Sequence, residues 1–280
     1  MSVEDGDLTI YQANRSSLPK LNKYFSDMWK RREFSYELAK STLRSQHAAT
    51  FFGQMWLVLN PLMLAVVYYF LMYVISGGKT RSSDYFPHLL AGLFIFYFVS
   101  NSVTTGASSV TSVGKLVSNQ AFPRLLLPLS SVLVAFRKFA PTIPIYFVAH
   151  AIAGLSWSPI QLLVIPAFIL IFLFAYGTAS LMAVAQVYFR DVGSFLPYLM
   201  RVWLYLSPVL YYADQISPKL SIFMPFNPLF GALGIWSDAL VRNTVPPIEY
   251  WVYAGLWSFA ALLIGCGLFI SKEREFAVRI

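Results

Sequence analysis

Six long apolar runs decide what this chain can fold into. They fall at about 52–76, 87–111, 126–153, 160–186, 194–213 and 250–271, and none of them contains an Asp or Glu. Each is close to the ~20 residues that an α-helix needs to cross the hydrocarbon core of a bilayer. Composition agrees. Hydrophobic residues make up 57% of the 280 and charged residues 12%, against ~25% charged in a typical soluble domain. Mean hydropathy is +0.59. The chain reads as an all-α membrane protein with six transmembrane helices.

The third run is the least regular. It holds Pro128, Pro141 and Pro144 and an internal Arg137-Lys138 pair. Proline is tolerated in a spanning helix where neighbours re-satisfy the freed backbone groups. Between the fifth and sixth runs, Pro218, Pro225 and Pro228 cut an apolar stretch into pieces too short to span. Two short re-entrant helices on one membrane face are the expectation there.

Ahead of the first run, residues 1–20 read as a disordered tail, and the acidic start lacks the apolar segment of a secretory signal peptide. Residues 21–47 read as one helix. Leu21, Tyr24, Phe25, Met28 and Trp29 recur at three- and four-residue spacing, while Lys23, Lys30, Arg31 and Arg32 fall mostly on other faces. This pattern fits a basic amphipathic helix in a membrane interface; the other reading is a soluble helix packed on a partner. Residues 48–280 form the transmembrane domain.

Lys and Arg give the orientation. With the N-terminus inside, fourteen of the 21 basic residues are internal: Arg15, Lys20, Lys23, Lys30, Arg31, Arg32, Lys40, Arg44, Lys115, Arg124, Arg190, Lys272, Arg274 and Arg279. Four are external, Lys79, Arg81, Lys219 and Arg242, and three lie within runs. Both termini are expected to be cytoplasmic in a plasma membrane. The net charge of +8 then describes a basic inner rim, and no nucleic-acid-binding signature accompanies it.

Motif tests narrow the function. "GGKT" at Gly77–Thr80 resembles the end of a phosphate loop, but the required earlier glycine is Tyr73. "NRS" at Asn14–Ser16 sits on the inner side and is a chance sequon. Cys266 is the single cysteine, and His47, His88 and His150 lie in separate segments, so no metal-ligand spacing is present. Proton-coupled carriers place carboxylates or His within the membrane; here the ionisable groups that read as buried are the cations Arg137, Lys138 and Arg201, plus His150, and no carboxylate is among them. Asp214, Asp238 and Glu249 are far apart in sequence and read as surface charges. Three classes stay in view: a transport subunit, a polytopic enzyme acting on lipid-linked sugars, and a secondary carrier.

Four stretches carry a resemblance: "FFGQMWLVLNPLM" (Phe51–Met63), "NQAFPRLLLPLS" (Asn119–Ser130), "YFRDVGSFLPYLMRVWLYLSPVLYY" (Tyr188–Tyr212) and "PFNPL" (Pro225–Leu229). The chain resembles the permease subunits of ABC transporters that export polysaccharides such as O-antigen, capsule, teichoic acid and mycobacterial galactan. The third stretch is the most specific. The resemblance implies two copies of the chain forming a pore, and a separate ATPase subunit that binds ATP and Mg, with no cofactor on this chain. It implies a cytoplasmic coupling helix, with Lys115, Leu116, Val117, Asn119, Gln120, Phe122 and Arg124 in or beside it. Arg190 and Asp191 form a second inner turn, either an ATPase contact or a helix cap with a basic anchor.

The implied cargo is a glycan on a polyprenyl diphosphate lipid. Aromatic rings suit sugars because they join apolar faces to polar tips. Tyr68, Tyr69 and Tyr73 in the first run, and Trp203, Tyr205, Tyr211 and Tyr212 in the fifth, are candidate channel linings; the competing reading is an aromatic belt. Arg137 and Lys138 either bind the lipid diphosphate, with Arg137 the better placed, or snorkel to inner headgroups.

Overall fold

The computed structural model describes residues 21–47, 53–75, 77, 83–114, 122–217, 219 and 222–279, apart from the side chains of 46, 47, 54, 57 and 277. All regular structure among them is helical. An amphipathic pair comes first, α1 (Leu21–Lys30) and α2 (Arg32–His47), so the expected single helix is interrupted at Arg31. Then follow α3 (Trp56–Ile75), α4 (Tyr85–Ala107), α5 (Leu126–Phe139), α6 (Thr142–Ile152), α7 (Val164–Tyr188), α8 (Val192–Leu206), α9 (Phe230–Ser237), α10 (Ile248–Lys272) and α11 (Phe276–Arg279). Among the described residues, five stretches are long and apolar enough to cross a membrane: Val58–Ile75, Tyr85–Ala107, Leu126–Ile152, Pro159–Tyr188 and Ile248–Glu275. The chain is a multi-pass membrane protein.

Each interruption has a local cause. The Leu126–Ile152 span breaks between α5 and α6 at Ala140 and Pro141, because proline cannot donate the helical hydrogen bond. The run expected over 194–213 is a 15-residue helix, α8, ending at Leu206. At ~1.5 Å per residue it is ~22 Å long, short of a ~30 Å core. The non-helical residues after it carry the chain onward. Their backbone is satisfied by side chains, as peptide groups at that depth require. Asn227 Nδ2 and Tyr211 Oη donate to the Leu206 carbonyl at 3.1 and 2.9 Å. Tyr85 Oη donates to the Leu210 carbonyl at 2.8 Å. Asn227 also joins α8 to α9, accepting from Trp203 Nε1 at 2.9 Å and from the Leu229 amide at 3.1 Å.

Of the two expected re-entrant helices, one is described. It is α9, buried throughout, continuing as a five-residue π-helical turn Asp238–Arg242. Asn243 closes it with a left-handed φ of 54°. For the other, residues 218, 220 and 221 of the same connection lie outside the described residues.

Helix α4 is the centre of the bundle, buried from Tyr85 to Ala107 on most of its positions. It is walled by α3, α5, α7 and α9. The closest packing is between α7 and α10. A Cβ on Gly265 would stand 1.9 Å from the Gly177 carbonyl oxygen, and one on Gly177 would meet the Ala261 backbone at 2.3 Å. Small residues let helices approach in lipid, where no hydrophobic force drives them together. In contrast, among its described side chains α3 buries only Ala65 and Tyr68 and exposes Met63, Val66, Val67 and Phe70. Gly265→Leu is expected to cost about 1–3 kcal/mol through overpacking. The check is thermal unfolding of purified protein beside Gly267→Ala, a site with nothing within 4 Å, which should change little.

Candidate functional site

Three places in the fold gather polar side chains. The first is the basic end. Here Tyr24 of α1, the start of α5 and the end of α10 meet. Tyr24 Oη donates to Glu273 Oε2 at 2.7 Å and accepts from the Leu125 amide at 3.3 Å. Arg124 donates to the Glu273 carbonyl. Burial, reinforced by the Glu273 carboxylate, pushes the Tyr24 phenol above its ordinary pKa, so it stays a donor. Next to this cluster the chain folds back on itself. Tyr188 Oη donates to Glu275, which also pairs with Lys272 at 3.0 Å and Arg279 at 3.3 Å. The Arg279 guanidinium lies 4.2 Å over the Tyr188 ring. Phe276 is fully buried against Phe269. The C-terminal segment thus fastens α1, α5 and α7 together.

Of the expected coupling residues, Lys115, Leu116, Val117, Asn119 and Gln120 lie outside the described residues. Phe122 is half-buried and packs on Phe34 of α2, with ring centroids 5.1 Å apart. Arg190 and Asp191 form an exposed turn between α7 and α8. Asp191 holds the N-cap position with no side-chain capping bond, so neither charge is consumed by a cap.

The second place is membrane depth between α3, α4 and α8. Tyr68 and Tyr205 meet edge to face, centroids 6.3 Å apart and hydroxyls 3.4 Å apart. Tyr73 is exposed on α3. The other expected linings serve the fold. Tyr69 packs on Tyr85 and Phe86. Trp203 is fixed by Asn227 and by the edges of Phe96 and Phe174. Tyr211 bonds the Leu206 carbonyl. The adjacent cations of α5 diverge, as a ~100° step per residue requires. Arg137 stacks on Tyr36 of α2 at 4.2 Å. Lys138 turns the other way, into a cavity between α3, α4 and α5. Sequence reasoning favoured Arg137 for the interior; the position of α2 against α5 reverses that order.

The third place is the opposite end. Asp214 and Asp238, far apart in sequence, converge on Arg242, at 2.8 and 3.9 Å. Glu249 is in neither of these ion pairs. The Tyr212 ring has Arg242 4.3 Å from its centroid and His88 at 4.0 Å, while its hydroxyl donates to Asp84 at 2.8 Å. His88 reaches Ser237 Oγ at 2.8 Å and the Tyr211 carbonyl at 3.2 Å. The guanidinium holds Asp214 below its ordinary pKa, whereas burial raises Asp238 to about 6. His150 is buried too, between Tyr146, Gln161 and Trp157. Both histidines are packing residues with hydrogen-bond partners.

A multi-pass helical chain with polar groups at membrane depth and an exposed basic rim at one end has the build of a transport protein. Residues 36–237 match the family described as ABC-2 type transporter, and the chain belongs to that family. It is 26% identical over 241 residues to an O-antigen export system permease protein RfbA of Klebsiella pneumoniae, covering 86% of this chain and 92% of that relative. A protein of the same description from Myxococcus xanthus is 25% identical over 257 residues, covering 91% and 98%.

The Asp238 shift carries a sign. A carboxyl whose folded pKa is about 6 instead of 3.8 stabilises the fold while protonated and loses that contribution as pH rises from about 4 to about 6. Asp238→Asn is expected to remove this component, worth about 2 kcal/mol. Melting temperatures of the purified protein at pH 4.5 and 7.5 check it: the wild type should lose stability relative to the Asn variant across that interval.

Proposed function

We propose that this chain is the channel-forming membrane subunit of an ATP-driven exporter. It moves a polysaccharide, linked to a polyprenyl diphosphate lipid, across the plasma membrane. The observation that carries this reading is similarity to O-antigen export permeases along 86–91% of the chain. Two copies of the chain form the pore, and each works with an ATPase subunit that binds ATP and Mg.

In this reading the basic end is cytoplasmic, following the excess of Lys and Arg there. The exposed turn Arg190-Asp191 and the segment 115–124 face the ATPase. The C-terminal fastening at Glu273 and Glu275 ties that surface to α1 and α7. A push on the basic end therefore moves several helices as one body, the kind of rigid shift that packed interfaces transmit. The exposed faces of α3 and α8 supply the pore and the seat for the second copy: Val67, Phe70 and Tyr73 on one, Tyr198, Val202 and Tyr205 on the other. Tyr73 and Tyr205 are the sugar-facing rings, with the buried Tyr68 packed behind Tyr205. Tyr212 is a brace, since His88 and Arg242 already crowd its ring.

Two experiments test the reading. Co-expression with the transporter's ATPase should give a stable complex. Arg190→Glu should reduce co-purification about tenfold while leaving the permease level in the membrane unchanged, because the side chain is exposed. Phe122→Asp should lower the permease level itself, because it breaks the contact with Phe34. Equal ATPase recovery with Arg190→Glu would remove that turn from the interface. For orientation, with Cys266 replaced, a cysteine at Asn243 should react with an impermeant thiol reagent in intact cells, and one at Arg190 should not. The reverse pattern would invert the topology.

A further inference from the structure

The cavity between α3, α4 and α5 is about 580 Å³. Its wall is mostly apolar: Met63, Leu64, Val67, Phe94 and Phe98 among others. Polar groups in the wall come from Lys138, Asn60, Asn101, Tyr97, Trp56 and Thr142, the last donating its hydroxyl to the Phe139 carbonyl at 2.7 Å. The depths of Lys138, Asn60 and Asn101 agree. Asn60 lies 15 residues before Ile75, the end of α3. Asn101 lies 16 residues after Tyr85, the start of α4. Lys138 lies 14 residues before Ile152, the end of α6. At ~1.5 Å per residue these are ~22, ~24 and ~21 Å from the opposite end. In a ~30 Å core that level is ~6–9 Å inside the boundary on the basic side. Three helices of different direction thus present polar groups on one shelf within an apolar wall.

Lys138 makes no hydrogen bond or ion pair among the described residues. The sequence offers Lys138 no carboxylate inside the six apolar runs: Asp84, Asp191, Asp214, Asp238, Glu249, Glu273 and Glu275 all lie in turns or near helix ends. A charge at this depth faces a cavity or a partner. Asn101 Nδ2 gives a hydrogen bond to the Tyr97 carbonyl at 2.8 Å, which leaves its second N–H for the cavity. Arg137 does not compete, being held on Tyr36.

We propose that this cavity binds the phosphate of a phosphate-bearing lipid, with Lys138 as counter-cation, Asn60 and Asn101 as hydrogen-bond donors, and the apolar wall along α3 and α4 receiving the lipid chain. An ammonium supplies a point charge to phosphate oxygens, and amide donors fix its position. Two sources present this chemistry: the lipid carrier of the exported glycan and an ordinary membrane phospholipid. The first deepens the exporter reading and rests on it; the site itself does not.

The test uses the full-length protein in nanodiscs of neutral phosphatidylcholine, with three probes: a polyprenyl diphosphate, dioleoyl phosphatidic acid and uncharged diolein. Binding is read by native mass spectrometry against wild type, Lys138→Gln, Lys138→Arg and Arg137→Gln, each first shown to keep the wild-type melting temperature within a few degrees. A phosphate site predicts binding of the phosphate lipids and not of diolein. It predicts a loss of about tenfold or more in Lys138→Gln, retention in Lys138→Arg, and little change in Arg137→Gln. Tighter binding of the polyprenyl diphosphate supports the cargo source. Tighter binding of phosphatidic acid, with the same Lys138 dependence, supports the site and overturns its link to the cargo. Binding that is unaffected by Lys138→Gln, or equal for diolein, overturns the site. Should Lys138→Gln fail to fold, Asn101→Leu and Asn60→Leu take its place, with the same losses expected; their full retention of binding would overturn the site as well.

Discussion

A peptide group without a partner at membrane depth costs several kcal/mol, and no water is there to supply one. Much of this fold answers that cost. Where α8 stops at Leu206, short of a full crossing, the non-helical residues beyond it are met by Asn227, Tyr211, Tyr85 and His88. Those four side chains come from α4, from the connection itself and from the start of α9's approach. The crossing thus exists only because the neighbouring elements are already in place. The same demand explains why α9 can enter and turn: it is buried on every residue, and Asn243 adopts a left-handed conformation to end it.

Close approach is the second consequence. Without water to squeeze out, helices in lipid are held by contact and by internal hydrogen bonds. Gly177 and Gly265 bring α7 and α10 nearly backbone to backbone. Ser258 Oγ adds a bond to the Leu170 carbonyl at 2.8 Å. This rigid side of the bundle contrasts with α3 and α8, whose outward faces carry large exposed apolar residues. The division suits a transport subunit: one side is tightly packed, while the other leaves apolar surface uncovered.

Electrostatics separate the two ends. At the basic end, Glu273 and Glu275 are each engaged by tyrosine and cation partners that come from different helices. At the other, Arg242 gathers Asp214 and Asp238, and the same guanidinium braces Tyr212. Between them lie Lys138 and Arg201, in apolar runs that hold no Asp or Glu. An isolated cation in low dielectric is a standing cost, and an anionic ligand is the simplest way to offset it.

The sequence by itself determined the class. Apolar length and the absence of carboxylates within the runs specify membrane-spanning helices, because both are single-residue properties summed along a helix. The proline positions pointed to the short re-entrant piece for the same reason, whereas the third run was expected to continue through its prolines and instead breaks at Pro141. The stretch from Tyr188 to Tyr212 pointed to the family that residues 36–237 confirm. What only the tertiary structure decided is direction and company. Arg137 and Lys138 are adjacent in sequence, yet only the packing of α2 on α5 shows which one meets Tyr36 and which one meets the cavity. Seven aromatic residues looked alike as channel linings; neighbours from α4, α7 and α9 claim Tyr69, Trp203 and Tyr212 for the fold and leave Tyr205 and Tyr73 exposed. Asp214 and Asp238 read as separate surface charges until a π-helical turn brought both to one arginine. Partner choice of this kind depends on distances between segments far apart in the chain, and local sequence carries no measure of them.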